Sequence, residues 1–257
     1  MARQYRFTTT PKKLSPGARQ SWGGSDGWSD DIGETENVIV ENGTIKPNTD
    51  PPGPTDGLVT YYPFYDGDAT DRIGENDGTI TGASFLPDGG PTSDGAFAFD
   101  GAGQYINTNI DTPPSDGTIT FWLYVPADWT GGVNNAAVWK GTSSQNWWGL
   151  KYGGDGDDWE YARYSSGYAY QFSNVTIPSG SWNHVALTWG TDNAAAYVNA
   201  GMQNSSTAST TLPSPSTIRL MQNEYDVKYV RGRLDGYRLY NRLLSKSEIE
   251  SIYTKTQ

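Results

Sequence analysis

At 257 residues the chain holds one full domain with an appendage or two small domains, and with 31 Gly, 15 Pro and only 35% apolar residues it excludes a protein of long helices. The net charge of −11 divides unevenly: residues 1–19 carry Arg3, Arg6, Lys12, Lys13 and Arg19 and no acid, which leaves 13 basic against 29 acidic side chains elsewhere. Such an acidic body excludes nucleic acid as a partner, because phosphate contacts need Lys and Arg. There is no Cys, hence no disulfide framework or thiolate chemistry. The 21 Asp against 8 Glu fit either a surface adapted to high salt or a loop-rich fold using Asp as its turn residue.

In chain order, residues 1–46 form an N-terminal segment with a basic first part. Asn37-Val38-Ile39-Val40 and Thr44-Ile45-Lys46 flank Glu41-Asn42-Gly43 there, and Asn-Gly between β-branched runs predicts a tight hairpin. Residues 47–57 contain four prolines and read as a semi-rigid linker. Residues 58–257 follow as repeated short strands. Thr118–Val125 puts Ile119, Phe121, Leu123 and Val125 on one face, and His184–Trp189 does the same with Val185, Leu187 and Trp189. Ala196–Asn199 and Leu234–Tyr240 continue the pattern, with Gly, Pro, Asn and Asp between strands, so an antiparallel sandwich or barrel is expected. Ser245-Lys246-Ser247-Glu248 is a capping box, with Leu244 and Ile249 as its staple, and predicts one short helix ending by Tyr253.

Ordered landmarks give this pattern a family. Leu58–Phe64, Phe97-Ala98-Phe99-Asp100-Gly101 with Tyr105-Ile106, Ile119-Thr120-Phe121-Trp122, Trp182-Asn183-His184-Val185-Ala186 and Gly232–Ser245 together resemble the laminin G-like domains of the concanavalin A jelly-roll superfamily. The resemblance implies an all-β, two-sheet antiparallel jelly roll with a short C-terminal helix. Two positions depart from the family pattern: Asn183 replaces the first of two histidines, and Tyr197-Val198-Asn199-Ala200-Gly201 has one residue more than Tyr-Val-Asn-Gly, which predicts a bulge.

Residues 139–172 hold ten aromatics. Tyr168, Tyr170 and Phe172 alternate as a core face, with Trp139 also in the core. Trp147, Trp148 and Trp159 sit beside turn residues and, with Asn146 and Asp158, are expected to form a glycan-binding surface, rings stacking on sugar C–H faces and polar side chains taking hydroxyls. Acidic clusters suggest a structural Ca²⁺, and Asp71, Asp100 and Asp235 lie where the resemblance implies ligands. No enzyme is expected. His184 reads as structural, and the glucanase pattern of alternating acids, which the resemblance would imply, is approached only by Glu224-Tyr225-Asp226.

The start lacks the apolar core of a signal peptide and no stretch approaches a membrane span. A lectin-like domain without an export signal looks like a virion surface protein: a capsid decoration, turret or tail fibre of a haloarchaeal tailed virus. On that expectation residues 1–46 anchor a homo-oligomer on shell or tail proteins through Arg3, Arg6, Lys12, Lys13 and Arg19. The domain binds host surface glycan or glycoprotein. The alternatives are a purely structural decoration and a secreted, extracellular carbohydrate-binding module.

Overall fold

The computed structural model describes residues 38–41, 44–47, 51–92, 95–132, 135–143, 146–153, 159–165, 168–191, 193–207, 212–213, 216–223 and 228–257, with side chains from residue 51 onward except 168–173. The chain divides into two units, Met1–Asp50 and Pro51–Gln257. In the first, β1 (Val38–Glu41) pairs antiparallel with β2 (Thr44–Pro47). Glu41 faces Thr44, the pairing the hairpin expectation requires, and Asn42 and Gly43 lie outside the described residues. The proposed anchor residues Arg3, Arg6, Lys12, Lys13 and Arg19 lie outside the described residues.

The second unit runs β3 (Leu58–Tyr62), β4 (Thr79–Thr81), β5 (Ser84–Leu86), β6 (Ala96–Asp100), β7 (Tyr105–Asn107), β8 (Gly117–Tyr124), β9 (Asn135–Ser143), β10 (Asn146–Tyr152), β11 (Trp159–Ser165) and β12 (Tyr168–Val175). It continues through β13 (Trp182–Gly190), β14 (Asn193–Val198), β15 (Gly201–Ser206), β16 (Arg219–Leu220), β17 (Gln222–Asn223), β18 (Lys228–Tyr229), β19 (Arg231–Tyr240) and α1 (Lys246–Lys255). One sheet is ordered β12-β11-β10-β9-β16-β7-β4, the other β15-β14-β13-β8-β19-β6-β5, with β3 also on β19. The short strands β17 and β18 form a separate hairpin. All described pairings are antiparallel, and the result is a two-sheet sandwich closed by one short helix.

Alternation builds the core. Ile119, Phe121 and Leu123 on β8 meet Val185, Leu187 and Trp189 on β13 and Trp148, Leu150 and Tyr161 from the facing sheet, all essentially buried. Gly236, at φ 61°, lets β19 shift register between Asp235 and Arg238. Leu234 and Tyr237 therefore both reach the core, although strict alternation would send one of them outward.

The outer face of the eight-stranded sheet has a second core. Ala186, Tyr240, Leu244, Ile249 and Ile252 pack together under α1. Ser245 caps the helix as the sequence predicted: its hydroxyl accepts from Glu248 N–H while Glu248 accepts from Ser245 N–H. The helix runs one turn fraction past the expected end, to Lys255.

Two expectations change. Residues 51–57, read as a spacer, lie against the sandwich. Pro54 C=O accepts from the Tyr240 hydroxyl, Asp56 C=O from Arg242 Nε, and Gly57 C=O from Asn241 N–H. A Cβ on Gly53, at φ 107°, would stand 2.8 Å from an Ile252 carbon. The prolines thus form an ordered strap, because the chain pays its hydrogen bonds through carbonyls, which proline retains. The expected bulge at Asn199-Ala200 is instead a two-residue turn: both have positive φ, 50° and 59°, and Val198 pairs with Gly201. The irregularity falls one step later, opposite Ala196 and Tyr197.

Candidate functional site

Successive residues on a strand point to opposite faces, and this separates the expected glycan-binding residues. Trp147 points outward from the seven-stranded sheet. Trp148 points inward, is fully buried, donates from Nε1 to the Tyr161 hydroxyl at 3.0 Å and meets Trp189 edge-on at 5.2 Å. Trp159 is also a core residue, 3% exposed and packed against Trp129. Neither indole offers a surface to a ligand, so a shared face of Trp147, Trp148 and Trp159 is corrected: only Trp147 points to the outer side, and it is itself only 9% exposed. Asn146 is half-buried at the start of β10, donating to Thr142 Oγ1, and Asp158 lies outside the described residues. Trp139, expected in the core, is buried at 2% exposure, in a small cluster with Trp147 on the outer side of the seven-stranded sheet.

That outer face carries a row of rings and charges. Trp147 on β10 is paired with Gly141 on β9 and Tyr164 on β11, and Trp139 is paired with Gly149. Gly141 clears the space the indoles fill: a Cβ there would lie 2.8 Å from Trp147 Cβ and 2.9 Å from Trp139 Nε1, whereas Gly149 lets the β9 backbone approach, a Cβ there lying 2.2 Å from the Val138 carbonyl oxygen. The Trp139 and Trp147 rings stack at 4.9 Å and 21°, and Trp147 and Tyr164 stay nearly parallel at 6.4 Å and 11°. Arg219 on β16 faces Trp139 and lies over the Tyr105 ring at 4.7 Å. Its Nη1 donates to Gln222 Oε1. Lys151 and Glu160, cross-strand partners, form an ion pair of 2.9 Å, with Lys151 Nζ 5.5 Å from the Trp147 centroid. Tyr164, Arg219, Tyr105, Lys151 and Glu160 are all partly exposed. The arrangement offers ring surface at Tyr164, a guanidinium, an ammonium and a carboxylate along one face.

The three aspartates proposed for Ca²⁺ do not form a set. Asp71 is buried in the loop after β3, where Oδ1 accepts from Tyr61 and Ile73 N–H and Oδ2 from Asn76 N–H. Donors aimed at both oxygens organise the loop and oppose a cation. Asp100 Oδ1 accepts from Ala102 N–H in an exposed turn. Asp235 is buried on β19 opposite Trp122. Among the described residues no three His, Cys, Asp or Glu are grouped to hold an ion.

His184 is fully buried beneath α1, between Trp122 at 5.4 Å and Tyr253 at 6.1 Å. Burial, with the Arg238 charge nearby, pushes its pKa down to about 3, so the ring is neutral. Asn183 is buried and structural, donating to the Pro178 and Ser181 carbonyls. Glu224 and Asp226 lie outside the described residues. Among the described residues no helix is long and apolar enough to cross a membrane.

The strand order, the two cores and the capped closing helix define a jelly-roll sandwich of the lectin type. The chain belongs to the concanavalin A-like lectin/glucanases superfamily, whose model matches residues 100–250. Its fold is similar to domain 4 of AbnA, an extracellular arabinanase from Geobacillus stearothermophilus solved with arabinotriose, at TM-score 0.63 and 20% identity over 78% of this chain and 98% of that one. The binding domain of Paraclostridial Mosquitocidal Protein 1 gives 0.58 and 19% over 77% and 52%. The Trypanosoma rangeli sialidase gives 0.56 and 19% over 78% of this chain and 33% of that one. The chain thus spans about half of the mosquitocidal binding domain and a third of the sialidase. No curated protein matches it in sequence.

Proposed function

We propose that the sandwich is a non-enzymatic carbohydrate-binding head whose ligand lies on the outer face of the seven-stranded sheet. The partly exposed ring of Tyr164, held on the buried Trp147–Trp139 stack, with the Lys151–Glu160 pair and Arg219 beside it, carries the reading. Tyr164 supplies the apolar contact, the two indoles beneath it fix its position, and the charged groups supply the hydroxyl partners that sugars require. The fold likeness to a domain solved with arabinotriose supports this choice and supplies a probe. Binding is favoured over hydrolysis because the Glu160 carboxylate on this face is committed to Lys151.

Isothermal titration of the full chain with arabinotriose and a panel of neutral oligosaccharides tests the site. Tyr164→Ala is expected to weaken the best ligand about tenfold, or roughly 1.4 kcal/mol, while leaving the fold intact. Unchanged affinity in that variant removes the site, and release of reducing sugar from any bound oligosaccharide removes the non-enzymatic reading.

The finer setting, display on a virion surface as a homo-oligomer anchored by residues 1–46, rests on the sequence alone: a basic first nineteen residues ahead of an acidic body. Its test is particle association and oligomeric state of the full chain against residues 51–257. A shortened protein that assembles identically refutes it.

A further inference from the structure

On the outer face of the eight-stranded sheet, α1 covers Trp122, whose indole lies 5.8 Å from Tyr253 and donates to Thr256 Oγ1. The next row of cross-strand partners is half-buried from Trp182 to Ala98 and exposed at Ser84. Trp182 on β13 pairs with Tyr124 on β8, Tyr124 with Arg233 on β19, Arg233 with Ala98 on β6, and Ala98 with Ser84 on β5. The Trp182 and Tyr124 rings are 5.9 Å apart at 59°, and the Arg233 guanidinium lies 5.1 Å from the Tyr124 centroid. Five strands spaced by about 4.8 Å make the row about 19 Å long, the reach of a short oligosaccharide.

Two observations mark this row as more than packing. Neither Tyr124 nor Trp182 belongs to the inter-sheet core or to the core beneath α1. Arg233 also has no carboxylate partner among the described residues, in a chain of net charge −11. Two other arginines of this part of the chain behave differently: Arg231, two residues before it on β19, is paired with Asp128, and Arg242, just past the end of β19, with Asp56 and Glu248. A guanidinium held on a ring with its N–H fork unspent on acid matches the planar geometry of a carboxylate. Ala98 and Ser84 extend the row with small side chains, so no large group in that direction competes for the fork.

We propose that Trp182, Tyr124 and Arg233 form a second saccharide site, on the sheet opposite the first, that takes a sugar bearing a carboxylate. The C–H face of the sugar lies on Trp182 and its carboxylate meets Arg233. A uronate and a sialate share this chemistry, and the experiment separates them.

Titrate the full chain with a galacturonate trimer, with sialyllactose, and with the carboxyl-reduced form of each. At least one acid is expected to bind about tenfold more tightly than its reduced form, a preference of roughly 1.4 kcal/mol. Arg233→Gln should abolish that preference, and Trp182→Leu should weaken acid and reduced sugar alike. Tyr164→Ala, on the other face, should leave the preference intact, which separates failure here from failure of the neutral-sugar site. No preference for either acid, or a preference that survives Arg233→Gln in a protein of unchanged melting temperature, overturns the proposal. Loss of the preference in Tyr164→Ala does so too, by moving the acid to the other sheet.

Discussion

Arg242 and Glu248 meet through two parallel hydrogen bonds, Nη2 to Oε1 at 2.6 Å and Nη1 to Oε2 at 3.1 Å, while the same carboxylate caps the helix by accepting from Ser245 N–H. One side chain therefore fastens α1 both to its own first turn and to the strand end that carries Arg242, which in turn holds the strap through Asp56.

Glu248→Gln keeps the shape of the cap but loses the charge. Arg242, first among the causes, holds the Glu248 pKa down to about 2, from an ordinary 4.5. A carboxylate depressed in the folded state contributes stability that is complete above pH 4.5 and is lost as pH falls towards 2. The side chain keeps 29% of its exposure, so solvent screening limits the contribution to about 1 kcal/mol. Urea unfolding should show wild type falling towards the variant between pH 5 and 2. Parallel curves across that window would refute the coupling.

His184 gives the opposite residue type with the same sign. Its neutral ring is buried among Trp122, Tyr253 and Arg238, and the folded pKa of about 3 lies below the ordinary 6.5. The unfolded chain takes up a proton below pH 6.5 that the folded chain refuses until about 3, so folding stability drops as pH falls through that window. The slope approaches about 1.4 kcal/mol per pH unit for one proton. His184→Phe should remove this slope between pH 6 and 4. If wild type and variant lose stability equally there, another group carries the acid sensitivity.

Adjacent tryptophans test the division of the aromatic segment. Trp148→Ala removes a fully buried indole and its bond to Tyr161, and should cost about 3–5 kcal/mol. Trp147→Ala removes a buried ring from the small outer cluster, where it supports Tyr164, and should cost less than the fully buried inter-sheet indole while weakening saccharide binding. Equal loss of stability in the two variants, with saccharide binding unchanged by Trp147→Ala, would refute that division.

The sequence made the sandwich legible because its signals are local: the alternation of β8 and β13, the capping box at Ser245 and the Asn-Gly hairpin each sit within a few residues. The site was less legible. Trp147 and Trp148 looked equivalent beside a turn, and only their place in a paired strand divides them between two faces. The stack joins Trp139, Trp147 and Tyr164 from three strands, with Gly141 making the space, and no spacing along the chain announces that register. Lys151 and Glu160 were passed over for the same reason, being opposite one another only once β10 and β11 pair. Asp71 shows the same limit of sequence reading: it has the chemistry of a cation ligand, but its oxygens face N–H donors that only the folded loop brings to it.

The turn between β14 and β15 offers a stabilising substitution. Asn199 and Ala200 both hold the left-handed conformation that a two-residue hairpin of this type requires. Asn tolerates it and also donates Nδ2 to Asn183 Oδ1, whereas Ala pays the Cβ clash, about 1–2 kcal/mol in that region. Glycine avoids the clash but gains freedom in the unfolded chain, which offsets about 0.4–1 kcal/mol. Ala200 is 8% exposed, and a methyl is the only packing lost. Ala200→Gly should therefore raise stability by a net of about 0.5–1 kcal/mol, read as a higher urea midpoint with an unchanged slope. A lower midpoint would mean that the Ala200 methyl contributes more through packing than its backbone costs in strain.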